Sequence, residues 1–246
     1  MVNKLKRFAR NCIQPINLGE LLRSLPPEAL ILDVGCGNHS PARYKNVNPD
    51  TRYYGLDIAE YNLSAADYAL AEEIRFVESS AFDKGVLGFG KQFDLIISSH
   101  NLEHVDQPES VLEAMASSLS VGGKLWLAFP SQRSVGFPSR GGCLNFFDDD
   151  THKRPVNEAA VLQRLHAHGL SIRHFKPGYR PMLPYLVGAV QEPFSRLAGH
   201  IFSHTWSFWG FETIVVAQRN PAESPQVAHS IESGSTRNVK SGPLRN

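Results

Sequence analysis

Short unbroken hydrophobic runs alternate along this chain with longer stretches in which apolar residues recur three or four positions apart. The runs at 30–34, 52–58, 74–78 and 93–99 are rich in aliphatic, β-branched and aromatic residues and too short for buried helices, so they predict strands. The runs at 124–129, 170–175 and 212–218 predict three more. Between them, 61–71 reads as a helix, and 108–119 does so with Pro108 suited to a first turn and Val111, Leu112, Met115 and Leu119 at helical spacing. Gly122-Gly123 makes the turn into the strand at 124–129. Asn157 can cap a helix over 158–168, and Gly169 stops it. The alternation predicts an α/β fold, and no internal repeat interrupts it.

The first run ends in Asp33-Val34-Gly35-Cys36-Gly37, a buried strand with an acid and a Gly-x-Gly turn at its tip. The two glycines let the backbone turn tightly and approach a ligand where a side chain would collide. A dinucleotide site wants a third glycine three positions on, to bring a helix N-terminus to a pyrophosphate, and Ser40 stands there instead. Asp33 would repel a pyrophosphate but favours a ligand carrying an ammonium and a sulfonium, as S-adenosylmethionine does. Twenty residues after Gly37, Asp57 closes the second run, where it can accept both hydroxyls of a ribose. The third run delivers Ser79, Ser80, Ala81 and Phe82 to the same edge, and the fourth delivers His100 and Asn101.

Taken in order, DVGCG (33–37), GLD (55–57), FDLIISSHNLEHV (93–105) and GGKLWLAFP (122–130) resemble the motifs of the class I S-adenosylmethionine-dependent methyltransferases, over about 28–218. The resemblance implies a doubly wound, seven-stranded mixed sheet, six strands parallel and the last antiparallel, with helices on both faces. It also implies S-adenosyl-L-methionine as cofactor, lying across the carboxyl ends of strands one to four. Carried over by position, Asp33, Gly35, Cys36 and Gly37 would surround the methionine portion, and Asp57 with Ile58 would hold the ribose. Ser80 and Ala81 would face the adenine, with the Ala81 N–H on a ring nitrogen, and His100 would wall the donor pocket. Many members have Asp where this chain has Ser80, and Asp83 is close enough in sequence to compensate.

Composition narrows the partners. With 246 residues, 42% of them apolar, the chain can bury one sheet core but not two ordinary domains. A net charge of +1 gives no field for nucleic acid. Three cysteines, Cys12, Cys36 and Cys143, without a Cys-x-x-Cys pair suggest neither a disulfide framework nor a zinc cluster, and a cytoplasmic location is expected. Residues 1–27 read as a helical cap, with Lys4, Lys6, Arg7 and Arg10 around Leu5, Phe8 and Ile13 offering weak contact with an anionic membrane surface. The domain proper is expected at 28–219, and 220–246, rich in Pro, Ser, Gly and Asn, reads as a disordered tail.

Two insertions lie where open parallel sheets keep their ligands. The first, 131–155, carries Arg133, Arg140, His152 and Arg154. The second, 176–210, is aromatic and reads as a short helical cover over an acceptor pocket, or as a dimer interface or edge packing. Methyl transfer needs alignment above all, and an oxygen acceptor also needs a base near neutral pKa, which makes His100 and His152 the candidate catalytic residues. His100-Asn101-Leu102-Glu103-His104 spells H-x-x-E-H, a zinc-peptidase pattern, but such a site wants the motif in mid-helix and a further ligand downstream, so no metal is expected. No Asn-Pro-Pro-Tyr motif follows strand four, and no acidic cluster of the catechol type is evident. The expected activity is therefore metal-independent methylation of a small molecule, lipid or sugar, on oxygen rather than nitrogen. The rivals are a donor-binding partner subunit without catalysis and an NAD-dependent oxidoreductase.

Overall fold

The computed structural model describes residues 16–221. Its strands are β1 (Leu30–Val34), β2 (Arg52–Asp57), β3 (Glu73–Phe76), β4 (Phe93–Ser99), β5 (Leu119–Pro130), β6 (Leu170–Lys176) and β7 (Glu212–Arg219). Side chains alternate across each strand: Leu32, Tyr54, Ile96, Leu127 and Val215 enter one core, while Ile31, Tyr53, Leu95, Trp126 and Val216 enter another on the opposite face. A sheet apolar on both sides must be covered on both sides, which is why the chain keeps interposing helices. The strands run in the order β3-β2-β1-β4-β5-β7-β6. β1 pairs in parallel with β2 and β4, β2 with β3, and β4 with β5, whereas β7 is antiparallel to both β5 and β6. This is the doubly wound mixed sheet that the resemblance implied, with six strands in one direction and the last reversed.

The helices are α1 (Leu18–Arg23), α2 (Ser40–Lys45), α3 (Ala65–Leu70), α4 (Phe82–Gly88), α5 (Pro108–Ser117), α6 (Glu158–Ala167), α7 (Met182–Ala198) and α8 (Thr205–Trp209). α4, α5 and α6 cover the first core with Phe82, Val86, Val111, Leu112, Met115, Val161 and Leu165. α1 and α2 cover the second with Leu22 and Tyr44. Only 16–27 of the expected N-terminal cap is described; there Asn48 Nδ2 donates to the carbonyls of Leu22 and Leu25 and ties α1 to the sheet face. The basic positions Lys4 to Arg10 and the tail from 222 lie outside the described residues. Among the described residues no helix is long and apolar enough to cross a membrane.

Three elements differ from expectation, each for a local reason. The helix expected at 61–71 is confined to α3, because Ser64 and Asp67 form a capping box there and Asn62 takes a left-handed φ of 48°. β5 begins at Leu119 rather than 124; the pairing jumps from Phe93↔Leu119 to Leu95↔Lys124, and the Gly122-Gly123 turn is absorbed as a bulge within the strand. The second insertion forms the 17-residue α7 rather than a short cover. Gly188 lets α8 approach α7, since a Cβ there would lie 2.3 Å from the His204 carbonyl oxygen and 2.8 Å from Phe208 Cβ.

Beneath the tip of β1, Asp33 is 1% exposed and accepts a 2.7 Å hydrogen bond from the Tyr53 hydroxyl. Burial pushes its pKa up to about 7, against the opposing pull of Tyr53 and Arg43. An acid whose folded pKa lies above its unfolded value weakens the fold as pH rises from about 4 through 7, because over that range the unfolded chain gives up a proton that the folded chain still holds.

Two outcomes follow. Gly188→Ala should destabilise by about 1–3 kcal/mol in urea unfolding, through overpacking between α7 and α8. Asp33→Asn removes the buried charge, so its melting temperature relative to the parent should rise between pH 5 and pH 8 in thermal scans without ligand. An unchanged difference across that range would show that Asp33 is already ionised in the fold at pH 5, its pKa not raised by burial.

Candidate functional site

Strand order reverses between β1 and β4, so the turns after their carboxyl ends depart in opposite directions and leave a crevice, the usual ligand position in open α/β sheets. A cavity of about 600 Å³ lies there, within the range of small-molecule and cofactor sites. Its wall is built from Gly35 after β1, from Asp57, Ile58, Ala59, Glu60 and Tyr61 after β2, and from Ser79 after β3. His100, Asn101, His104 and Val105 after β4 and Asp150, Thr151 and Lys153 of the first insertion complete it.

Asp57 is the best-anchored acid of this wall. Its Oδ2 accepts from the Gly37 N–H at 2.8 Å and its Oδ1 from the Ile58 N–H at 2.7 Å, so the glycine turn of β1 orients the carboxylate of β2. Burial raises its pKa above the ordinary carboxylate value, against these backbone donors. Two oxygens with about four acceptor directions leave Asp57 able to receive further hydroxyls. Gly35 adopts φ 94°, and a Cβ there would come within 2.9 Å of Asn101 Cβ. The neighbouring Asn101 Nδ2 is buried without a hydrogen-bond partner in the protein. An amide donor left unsatisfied in a cavity wall suits a ligand acceptor.

His100 follows β4 at φ 52°. Its Nδ1 lies 3.1 Å from Glu103 Oε1 and its Nε2 2.8 Å from Glu212 Oε1. Burial alone would lower its pKa, but the hydrogen bonds and charges of the two glutamates outweigh that and push it up to about 10. The ring is therefore an imidazolium donating from both nitrogens, with no lone pair for a proton. Trp206 of α8 and Phe211 flank it, with ring centroids 5.2 and 6.2 Å away. Glu103, His100 and Glu212 together carry one net negative charge, and with Asp57, Glu60 and Asp150 against Lys153 they make the wall acidic.

The sequence-predicted residues divide into those that face the cavity and those that support it. Gly35, Asp57, Ile58 and His100 line it. Gly37 acts through its N–H on Asp57, and Asp33 sits beneath the turn. The Cys36 thiol turns into the second core, where a Cβ on Gly55 would lie 2.7 Å from its sulfur. Ser80 and Ala81 belong to a 3-10 turn at Ser79–Ala81 in which the Ala81 N–H already bonds the Glu78 carbonyl, so Ser79 rather than Ala81 reaches the cavity. His152 lies outside the wall, its Nδ1 2.5 Å from the Phe146 carbonyl oxygen.

Two expectations about the acceptor side change. The segment 176–210 lines no part of this cavity; it packs behind His100, and Trp206 Nε1 donates to the Cys143 carbonyl. Two of the three arginines of the first insertion are paired within the protein and so do not await an acidic acceptor: Arg140 makes a bidentate contact with Glu192 at 2.7 and 2.8 Å, and Arg154 bonds Glu109. Glu60, Tyr61, Asn101, His104 and Thr151 were not singled out as ligand contacts. Asn101 stood beside His100 in the fourth motif, and Thr151 lay in the insertion expected to be functional.

A family profile described as a methyltransferase domain matches residues 32–127. An uncharacterized protein of Methanocaldococcus jannaschii is 30% identical over 104 residues, which are 40% of this chain and 27% of that protein. The chain spans about a quarter of the length of the first curated relatives it matches. The ubiquinone biosynthesis O-methyltransferase of Idiomarina loihiensis is 24% identical over 162 residues, covering 59% of this chain and 66% of that one. Among solved structures, an S-adenosylmethionine-dependent methyltransferase from Mesorhizobium loti shares the fold with a TM-score of 0.51 at 18% identity, over 81% of this chain and 96% of the other. Three of the four motifs lie wholly inside the stretch that matches the methyltransferase-domain profile, and the sheet order is that of the class I, Rossmann-like methyltransferase fold, whose cofactor is S-adenosyl-L-methionine.

Proposed function

We propose that this protein binds S-adenosylmethionine in the cavity between the β1 and β4 turns and transfers its methyl group to an oxygen of a small-molecule, lipid or sugar acceptor. The observation that carries the reading is the Asp57 carboxylate, held by the Gly37 and Ile58 N–H groups at the rim of an acidic cavity. In this reading Asp57 receives the ribose hydroxyls, Asn101 offers its free amide donor to the carboxylate of the methionine end, and Ser79 stands at the adenine end. Asp33 acts from below through its field on the ammonium. The negative wall favours a ligand with net positive charge over a pyrophosphate, which separates this donor from a dinucleotide.

When bound, the donor supplies a methyl on a sulfonium, an activated leaving group, so the protein's task is mainly alignment. His100 serves as a positioning residue: bridging Glu103 and Glu212, it ties the turn after β4 to the start of β7 and keeps the wall in register. Oxygen as acceptor atom is supported by the name of the Idiomarina loihiensis relative, an O-methyltransferase. The loop at 131–155 supplies the acceptor-facing side through Asp150, Thr151 and Lys153.

Calorimetry of the full chain should register one equivalent of S-adenosylhomocysteine. Asp57→Ala should weaken it about 10–100-fold, as expected for loss of hydrogen bonds to a charged group. Gly35→Val should abolish it, because the side chain would collide with Asn101. Incubation with methyl-labelled donor and a fractionated cell extract should yield a labelled product in a base-stable, oxygen-linked form. Donor heat without product in any fraction would favour the non-catalytic subunit, and stabilisation by NAD instead of S-adenosylhomocysteine would favour the oxidoreductase.

A further inference from the structure

Glu103 is fully buried, yet only one of its carboxylate oxygens is satisfied. Oε1 meets His100, whereas Oε2 has no partner in the protein. A buried carboxylate oxygen left alone is costly, and such groups call for a counter-charge. His104 and His152 stand beside it, their ring centroids 4.8 Å apart. A carboxylate oxygen of Glu103 and one ring nitrogen from each histidine lie within 4.8 Å of one another.

The tautomers of both rings are set by the backbone. His152 Nδ1 lies 2.5 Å from the Phe146 carbonyl oxygen, which can only accept, so Nδ1 carries the proton and a neutral ring keeps its lone pair on Nε2. His104 Nδ1 faces the Thr151 carbonyl at 3.2 Å and the Thr151 hydroxyl at 3.0 Å. That hydroxyl gives its own proton to Asp149 Oδ1, so it too accepts from Nδ1 and leaves Nε2 free. Metal-binding histidines are oriented in this way, one nitrogen on a carbonyl and the other on the ion. Asp149 Oδ2, 3.9 Å from His152 Nε2, adds a second acid within reach.

We propose that Glu103, His104 and His152 bind one divalent transition-metal cation. The downstream ligand whose absence counted against a metal in the H-x-x-E-H motif is present after all. It is His152, brought in by the first insertion, while His100 is withdrawn from the set by Glu212. Two ligands in a tetrahedral shell lie about 3.4 Å apart, so a pair at 4.8 Å closes by about 1.4 Å, shared between two side chains. Two imidazoles and a carboxylate suit Mn²⁺, Co²⁺ or Zn²⁺, whereas Mg²⁺ and Ca²⁺ prefer oxygen throughout.

His104 and Thr151 also line the donor cavity, so the cation would sit at its rim, on the acceptor side. Its role there rests on the proposed methyl transfer. An acceptor hydroxyl bound to the cation loses its proton to water; the oxygen then forms a bond to the methyl carbon as the carbon–sulfur bond breaks and its electron pair returns to sulfur, leaving a neutral thioether. This supplies the activation that His100, with both nitrogens engaged, does not, and it replaces the expectation of metal-independent chemistry.

The test uses the full untagged chain after dialysis against a chelator, titrated with Co²⁺ and followed by d–d absorption, with Mn²⁺ and Zn²⁺ titrations by calorimetry. One equivalent should bind to the parent. His152→Ala and Glu103→Gln should each lose at least about 100-fold in affinity, more than a typical change among a metal's outer hydrogen-bond partners. S-adenosylhomocysteine titrated into His152→Ala reports whether the fold and donor site are intact. No Co²⁺ spectrum in the parent, or undiminished binding in a folded His152→Ala, overturns the site. Metal binding without S-adenosylhomocysteine binding keeps the site and strikes the donor reading instead.

Discussion

The contact between the turn after β1 and the turn after β4 is the constraint on which the rest of the site depends. Gly35 meets Asn101 with no room for a Cβ, and its N–H bonds the Leu56 carbonyl at 2.7 Å, so three strand tips are locked together at one point. Beyond that point the chains diverge because the order of strands reverses, and the cavity opens between them. Asp57 inherits its position from the same lock through the Gly37 N–H. Geometry that a ligand needs is thus set by backbone groups, which are stiffer than side chains and independent of rotamers.

Electrostatics then decide what the lock can hold. Asp33 is buried at the expense of an ionisation that begins only near neutrality, and His100 is kept charged by two glutamates, one three residues on and one 112 residues away. Neither arrangement stabilises the fold by hydrophobic burial; His100 lines the acidic crevice and Asp33 lies beneath the turn that borders it. Conflicts between local cost and global fold of this kind concentrate at functional sites. The apolar cores on the two sheet faces offset them: the largest fully buried side chains, Tyr53, Phe82, Phe93 and Phe129 among them, are packed under or beside the strands that carry these groups.

What could be read from the sequence follows the range of each interaction. Gly35, Gly37, Asp33 and Asp57 were legible because a tight turn and an acid at a strand tip are short-range requirements, written within a few residues of the strand they end. The seven strands were legible for the same reason, down to β4 at both ends. What escaped depends on pairs far apart in sequence. Nothing near His100 announces Glu212, 112 residues away, and nothing near Arg140 announces Glu192, 52 residues away. The helix at 61–71 shrank to α3 because Asp67 is drawn into a buried network with Ser64, His39 and the Ala42 N–H, which apolar spacing does not report. The bond of the Ala81 N–H to the Glu78 carbonyl escaped too, because the resemblance carries positions over without the 3-10 turn that engages that amide.

Glu103 shows why a structural account of the fourth motif is incomplete. Charging His100 needs one close carboxylate, and Glu212 at 2.8 Å supplies it with the shorter of the two contacts. A neutral acceptor at position 103 would satisfy Nδ1 without burying a second acid, and would relieve the orphaned oxygen at the same stroke. The residue is instead an acid, completely enclosed, with two imidazoles whose Nδ1 positions are fixed on carbonyls of a loop about fifty residues downstream or within it. Those imidazoles stand within 4.8 Å of the Glu103 carboxylate, and a cation shared with them gives its buried charge a purpose beyond His100. One carboxylate can serve both neighbours, and in doing so it couples the wall of the donor cavity to the loop that faces the acceptor.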